Sequence, residues 1–259
     1  RYLAFHERAL ARFGIELSSG PGDVGVMLVG WQQRCFTYVS VTPQRGECGL
    51  AKINLHENDW HDAADRGIYI DALAPEVMTF DPLSLAALLA IDFQHRPRAL
   101  MSTSMTLLPG LRRALEQRFD CPVLDLYSLN EAGPIAVYDP LLDAHVLLQL
   151  QMAIEILDAD GNAVAEGERG EITLTGGFNF CLPLLRYRTG DHGALDNRQR
   201  GSGGRLPADR VIPTANQPDR RLQRVARTDE VNCHCVPGGH RRDGSGIRAC
   251  LEQQSEHCS

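Results

Sequence analysis

The sequence predicts an α/β fold that passes into a small antiparallel β subdomain and ends in a tail of different character. Three observations carry this. Strand-like, helical and strand-like segments succeed one another between about residues 80 and 127, the alternation that builds α/β layers. From Val146 onward short apolar strands are separated by tight turns, as in antiparallel pairs. After Asp196 no apolar run exceeds two or three residues, and Arg, Gly and Cys take over. The divisions read from this are 1–145, a partial α/β region; 146–196, an antiparallel β subdomain; and 197–259, a tail with the composition of a linker, of disorder or of a shifted reading frame.

The elements follow in order. Tyr2 to Phe13 has apolar residues at helical spacing (Leu3, Phe5, Leu10, Phe13) and meets Gly14, a helix stop. Gly20-Pro21-Gly22-Asp23 is a turn. Val24–Val29 reads as a buried strand, Phe36–Val41 as a second and Gly67–Leu73 as a third. Asp81-Pro82 predicts an N-cap and a first-turn proline, with Leu83–Ile91 as the helix body. Arg98–Ser102 is a short strand. Pro109–Phe119 is an amphipathic helix with Leu111, Ala114, Leu115 and Phe119 on one face. Val123–Tyr127 is a strand running into a Tyr-Ser-Leu-Asn-Glu loop. Met152–Leu157, the turn Asp158-Ala159-Asp160-Gly161 and the run Gly170–Thr175 are antiparallel in pattern.

Two segments carry chemistry. Gly170-Glu171-Ile172-Thr173-Leu174-Thr175-Gly176 is followed by Leu182-Pro183-Leu184-Leu185-Arg186-Tyr187-Arg188-Thr189-Gly190-Asp191, an apolar run ending on Asp191. An ionised carboxylate is an acceptor with two oxygens, so an Asp held at a strand end can take both hydroxyls of a ribose. Upstream stands Tyr127-Ser128-Leu129-Asn130-Glu131-Ala132-Gly133-Pro134.

Together these resemble the motifs of adenylate-forming enzymes, the acyl-CoA synthetase superfamily. The downstream pair is similar to the family's GE-x-x-x-TG and P-x-x-RYRTGD, and the upstream segment to its Y-G-x-S/T-E-x-G. The resemblance covers about residues 80 to 196, and Glu-Ala-Gly-Pro with Leu-Pro-Leu-Leu-Arg-Tyr-Arg is most like the phenylacetate–CoA ligase branch. It implies the large N-terminal domain of such an enzyme. It also implies ATP-dependent activation of a small carboxylic acid as an acyl-adenylate, then transfer to coenzyme A or a carrier-protein thiol. Carried over residue by residue, Tyr127 packs on adenine, Ser128 lines the nucleotide, Asn130 takes the α-phosphate position, Glu131 holds Mg²⁺ and Asp191 the ribose of ATP or AMP. Gly204-Arg205 is similar to the family's hinge Gly-Arg, whose Arg also reaches the ribose. Ser128 replaces the family's Gly, and Asn130 its Ser or Thr, though an amide can still donate to phosphate. The acyl pocket would be walled by Leu129–Pro134 and Ser102–Met105, where Met105, Leu129 and Ala132 suit an apolar acid.

Other features set limits. Of 26 Lys and Arg residues only Lys52 is lysine, and it lies far before the nucleotide motifs, whereas the family's catalytic Lys comes late. Ser18-Ser19-Gly20-Pro21-Gly22 lacks the Thr pair and Lys of the family's phosphate loop and reads as a turn. The chain is therefore read as a fragment, beginning at Arg1 inside a longer protein. The alternative is a non-catalytic AMP-binding-like protein with a scaffold role. A net charge of −7 argues against a nucleic-acid partner. No apolar run approaches the roughly 20 residues of a membrane span. Scattered Cys35, Cys48, Cys121 and Cys181 suit free thiols in a reducing cytoplasm. Cys233-His234-Cys235 with His240, Cys250 and Cys258 offers soft ligands, but at no standard zinc spacing. His61, His95 and His145 have no matched catalytic partner, and His192 borders the ribose position.

Overall fold

Parallel pairing around one central strand organises the protein. The structure, a computed structural model, describes residues 2–32 and 35–195 and the backbone of 211–213. Strand β1 (Val24–Gly30) lies between two parallel neighbours, β3 (Cys48–Asn54) and β4 (Val77–Phe80). β5 (Ala99–Ser102) and β6 (Val123–Leu129) extend the parallel set beyond β4. β2 (Tyr38–Thr42) pairs antiparallel at one edge. Beyond β6 the sheet turns antiparallel through β7 (Gly133–Asp139), β8 (Ala144–Leu147) and the backbone of β12 (Val211–Pro213). Among the described residues the order is β12-β8-β7-β6-β5-β4-β1-β3-β2. The chain winds from β1 to β3 on one side and then crosses to β4 on the other. That reversal is a topological switch point, where open α/β sheets gather ligands outside the carboxyl ends of their strands.

Parallel neighbours need crossover segments, and from β3 to β4, β4 to β5 and β5 to β6 these are helical. α1 (Tyr2–Arg12) covers one face, where Ala9 and Leu10 pack with Val77, Ala99, Met101, Leu124 and Leu126. α2 (Asp65–Leu73), α3 (Pro82–Ala87) and α4 (Pro109–Phe119) serve the other face, where Ile70, Leu85, Leu115 and Phe119 pack against Met27, Ile53, Met78 and Leu100. Asp81 caps α3 as expected, accepting from the Ser84 N–H at 2.9 Å, and a 3₁₀ turn over Leu88–Ala90 continues it. α4 has the boundaries read from the sequence.

One expected strand is a helix. Gly67–Leu73 alternates apolar residues, but Ile68 is exposed while Ile70 is fully buried, which one strand face would not allow. The topology decides it: residues 55–76 must return the chain from β3 to β4, both parallel to β1, and only a crossover does that. A Cβ at Gly67 would stand 2.0 Å from the Asp92 carbonyl, so the helix reaches its seat only with Gly there. The second strand begins two residues later than expected, leaving Phe36 outside it and exposed. Cys48 and Cys121 are free and buried, whereas Cys181 is free and exposed.

A second, three-stranded antiparallel sheet follows, in the order β11-β10-β9, with β9 at Met152–Leu157, β10 at Gly170–Gly176 and β11 at Leu184–Gly193. Its inner face (Ile154, Ile156, Ile172, Leu174) packs on Ala132, Ile135, Ala136 and Leu147 of the large sheet. On the side of β6 antiparallel pairing thus starts at β7, earlier than the change of pattern at Val146. No described helix is long and apolar enough to cross a membrane.

The Ser18-Ser19 turn holds a protein carboxylate. Glu76, just before β4, accepts from the Ser18 N–H at 2.9 Å, from the Ser19 N–H and hydroxyl, and from Arg98 Nη1 at 2.6 Å. Burial pushes the Glu76 pKa up, but the Ser19, Ser18 and Arg98 hydrogen bonds outweigh it and bring it down to about 2. Glu76 and Arg98 immediately precede β4 and β5, so this cluster sits at the amino ends of the parallel strands. Its stabilisation is full above the ordinary glutamate pKa of 4.5 and is lost as pH falls through about 2. Glu76→Gln is expected to remove on the order of 1–3 kcal/mol at neutral pH. It should also flatten the pH dependence of stability between those values. Denaturant titrations across that range test this, and parallel curves for the two proteins would refute it.

Candidate nucleotide site

Strand periodicity explains how one short motif serves two purposes. Along β11 successive side chains face opposite ways. Tyr187 turns inward onto the core between the sheets, and Asp191 turns the same way to meet Tyr127. Arg186 and Arg188 turn outward, where Arg186 Nε meets Glu155 at 3.3 Å and Arg188 Nε meets Glu171 at 2.6 Å. Arg188 is first among the causes that lower the Glu171 pKa. The arginines therefore bind the sheet to itself. The motif glycines are steric necessities. A Cβ at Gly170 would lie 2.4 Å from the Leu157 carbonyl, and one at Gly176, where φ is +90°, 2.6 Å from that of Gln151.

The structure brings the two distant motifs together. The Tyr127 hydroxyl donates to Asp191 Oδ2 at 2.8 Å across 64 residues. The Asp191 N–H donates to Thr189 Oγ1 at 3.1 Å, and that hydroxyl donates to the Ile172 carbonyl at 2.8 Å, which fixes the strand end. Burial first, and then the bond to Asp191, raise the Tyr127 pKa, so the hydroxyl stays a donor. One bond uses part of a carboxylate that has about four acceptor sites.

Glu131 joins the same group. Desolvation first, and then the nearby Glu131 charge, raise the Tyr187 pKa. The segment read as a loop after Tyr127 is largely strand: β6 runs to Leu129, and Asn130, Glu131 and Ala132 make a tight turn into β7. Asn130 is exposed and Glu131 half-buried. Ser128 Oγ lies 2.8 Å from Thr103 Oγ1, beyond the end of β5. Residues 102–105 and the 129–134 turn are therefore neighbours at the carboxyl ends of β5 and β6, and Met105 is exposed there.

Other sequence candidates separate from this site. His145 is a core residue whose pKa falls to about 4, through burial first and then Arg112. The His95 ring contacts the Pro75 carbonyl at 2.7 Å. Lys52 lies on β3, 5.8 Å from the centre of the Phe80 ring. Arg205 and the Cys/His cluster lie outside the described residues. Sequence reasoning missed Gln149, which grips the Glu131 turn from β8's end, and Asn179, whose Nδ2 donates to the Glu131 carbonyl at 3.4 Å. Neither belongs to a recognisable spacing, so only proximity reveals them.

The architecture is that of the large N-terminal domain of adenylate-forming enzymes. The fold matches 2-hydroxyisobutyryl-CoA ligase, solved in an open conformation with 2-HIB-AMP and CoA. The TM-score is 0.57 and the identity 18%, over 82% of this chain and 50% of that one. In sequence, phenylacetate-coenzyme A ligase of Pseudomonas putida is 29% identical over 126 residues, 47% of this chain and 25% of that protein. The Escherichia coli phenylacetate-coenzyme A ligase is 29% identical over 127 residues, with the same shares. The match thus spans about a quarter of these curated relatives' length. No protein-family model matches the chain. In fold and in these motifs the chain is similar to the adenylate-forming acyl-CoA synthetases.

Removing the Tyr127 hydroxyl tests the junction. Tyr127→Phe leaves the ring in place but deprives a half-buried carboxylate of a donor, a loss of about 1.5–3 kcal/mol. Chemical denaturation should show it, and an unchanged midpoint would mean that the 2.8 Å contact holds nothing.

Proposed function

We propose that this chain contributes the nucleoside end of an ATP-dependent carboxylate–CoA ligase of the phenylacetate–CoA ligase kind. The parent reaction joins a carboxylate to ATP as an acyl-adenylate with release of pyrophosphate. The thiolate of coenzyme A then displaces AMP. The observation that carries the reading is the Tyr127–Asp191 hydrogen bond, which unites two family-like motifs beside the carboxyl ends of the parallel strands. In this reading Tyr127 packs on adenine and Asp191 accepts from the ribose hydroxyls. Asn130 donates toward the α-phosphate, and Ser128 borders it. The acid lies against Met105, Leu129 and Ala132, which suits an apolar acid. The names of the structural and sequence relatives, coenzyme A ligases with an acyl-AMP and CoA bound in the solved structure, support a small acid, ATP and coenzyme A as substrates.

Mg²⁺ suits the donor set. The described residues include no cluster of three metal-ligating side chains, and Mg²⁺ commonly takes one carboxylate plus substrate phosphates. Glu131 would supply that carboxylate, and the ion would neutralise charge on the phosphates. The protein's own residues orient the nucleotide, which lowers the barrier through positioning.

A second reading has one observation in its favour. Lys52, the single lysine, sits on β3 against Phe80, and Arg186 and Arg188 are tied to carboxylates on the outer face. On that ground the chain by itself binds nucleotide without adenylating. Nucleoside recognition and phosphate activation are separable, since one is packing and hydrogen bonding and the other charge stabilisation. The purified chain should bind AMP weakly and show no carboxylate-dependent pyrophosphate exchange. Robust exchange would discard the second reading and put a group named here into phosphate chemistry. Asp191→Ala should weaken AMP binding about tenfold or more, a loss of roughly 1.4 kcal/mol. Unchanged affinity by calorimetry would take Asp191 out of the site. In a protein competent for adenylation, Glu131→Gln should cut that step far more than AMP binding. Equal loss in both would indicate a folding defect.

A further inference from the structure

Gln149 belongs to no motif, yet it holds the turn that carries Asn130 and Glu131. It follows β8 and is 2% exposed. Its Nε2 donates at 2.7 Å to the Ala132 carbonyl and at 2.7 Å to that of Pro134. These carbonyls flank Gly133, whose φ is +71°, so one side chain clamps both sides of the point where the backbone reverses. An amide nitrogen has two hydrogens for these two acceptors, whereas the flipped amide would set its oxygen against both carbonyls. The orientation is therefore fixed. Its Oε1 has no hydrogen-bonding partner among the described residues. Beyond that oxygen is Gly177, where a Cβ would stand 3.3 Å from it and 2.9 Å from Met152 Cε. A buried acceptor left unmatched is unfavourable. Asn179 adds a third hold through the Glu131 carbonyl, at 3.4 Å.

We infer that Gln149 is a positioning residue for phosphate recognition: it touches no substrate but fixes the backbone from which Asn130 and Glu131 project. The phosphate part rests on the nucleotide reading above. Adenine and ribose recognition reside in Tyr127 and Asp191, which Gln149 does not touch, so its loss should separate the two halves of the ligand.

The test uses the full chain with Gln149→Met, which keeps the length and removes the donor. Gln149→Asn serves as a milder variant that draws the amide back by one methylene. Hydrogen exchange is followed by NMR at Asn130–Gly133 and, for reference, in β9 and β10. AMP and adenosine are titrated in parallel. The expected result is at least tenfold faster exchange in the turn against an unchanged reference. The AMP-to-adenosine affinity ratio should fall at least fivefold for Met and less for Asn, with adenosine binding within about twofold of the unaltered chain. Unchanged turn exchange would overturn the proposal. So would equal weakening of AMP and adenosine, since a merely structural residue would not move their ratio. If the unaltered chain bound neither ligand, the nucleotide reading would fall. The exchange measurement, which needs no ligand, would still decide whether Gln149 holds the turn.

Discussion

The apolar core shared by the β6–β7 hairpin and the three-stranded sheet is the constraint on which the site depends. Ala132, Ile135 and Ala136 from the hairpin meet Ile154, Ile156, Ile172 and Leu174 from the small sheet, all nearly inaccessible to solvent. Burial of this kind is strong but has no direction. It brings the hairpin and β11 into contact without setting their register. Polar bonds at the rim do that: Tyr127 to Asp191, and Gln149 to the carbonyls of the turn. Every candidate residue for adenine, phosphate or ribose hangs on that apolar contact.

Much of this was legible in the sequence, for physical reasons that differ by element. α4 could be read to the residue because Pro109 opens it, Leu111 and Leu115 mark its buried side, and Asp120 at φ +52° closes it. β9 and β10 were readable because Ile154, Ile156, Ile172 and Leu174 alternate with small or polar residues. Gly67–Leu73 misled because Ile68 and Ile70 alternate like a strand, while the demand for a crossover is a property of the sheet. β3 was hidden by Gly49 and Lys52 within it. Gly49 is there because a Cβ would stand 2.9 Å from the Asp23 carbonyl, a reason visible only once β1 lies alongside.

The site divides in the same way. Tyr127, Glu131 and Asp191 could be singled out because motif chemistry is local, and the roles proposed for them rest on residue type alone. That Tyr127 and Asp191 would bond to each other could not be read, because 64 residues and two sheets separate them. Ser18-Ser19 shows the converse. Its hydroxyls and N–H groups suit an anion, and they do hold one, but it is the carboxylate of Glu76 at the amino ends of the strands. Donor chemistry identified an anion site, and only the fold could say whose anion it takes.

The same logic separates the charges of the β11 motif. Arg186 and Arg188 stand beside the Asp191 segment in sequence and would suit a phosphate in composition alone. Strand alternation sends them to the outer face, where Glu155 and Glu171 engage them, while Tyr187 and Asp191 turn inward. Both pairs are largely exposed and contribute little to stability individually. Their effect is to keep two cations from turning inward over the small-sheet core. In the proposed reading, recognition at the inner face is left to a tyrosine, a carboxylate and the clamped turn, all of which select by shape and hydrogen bonding. On that proposal charge neutralisation would come from elsewhere, from an ion carried in on the phosphates or from a cation outside this group, and orientation is what these residues would supply.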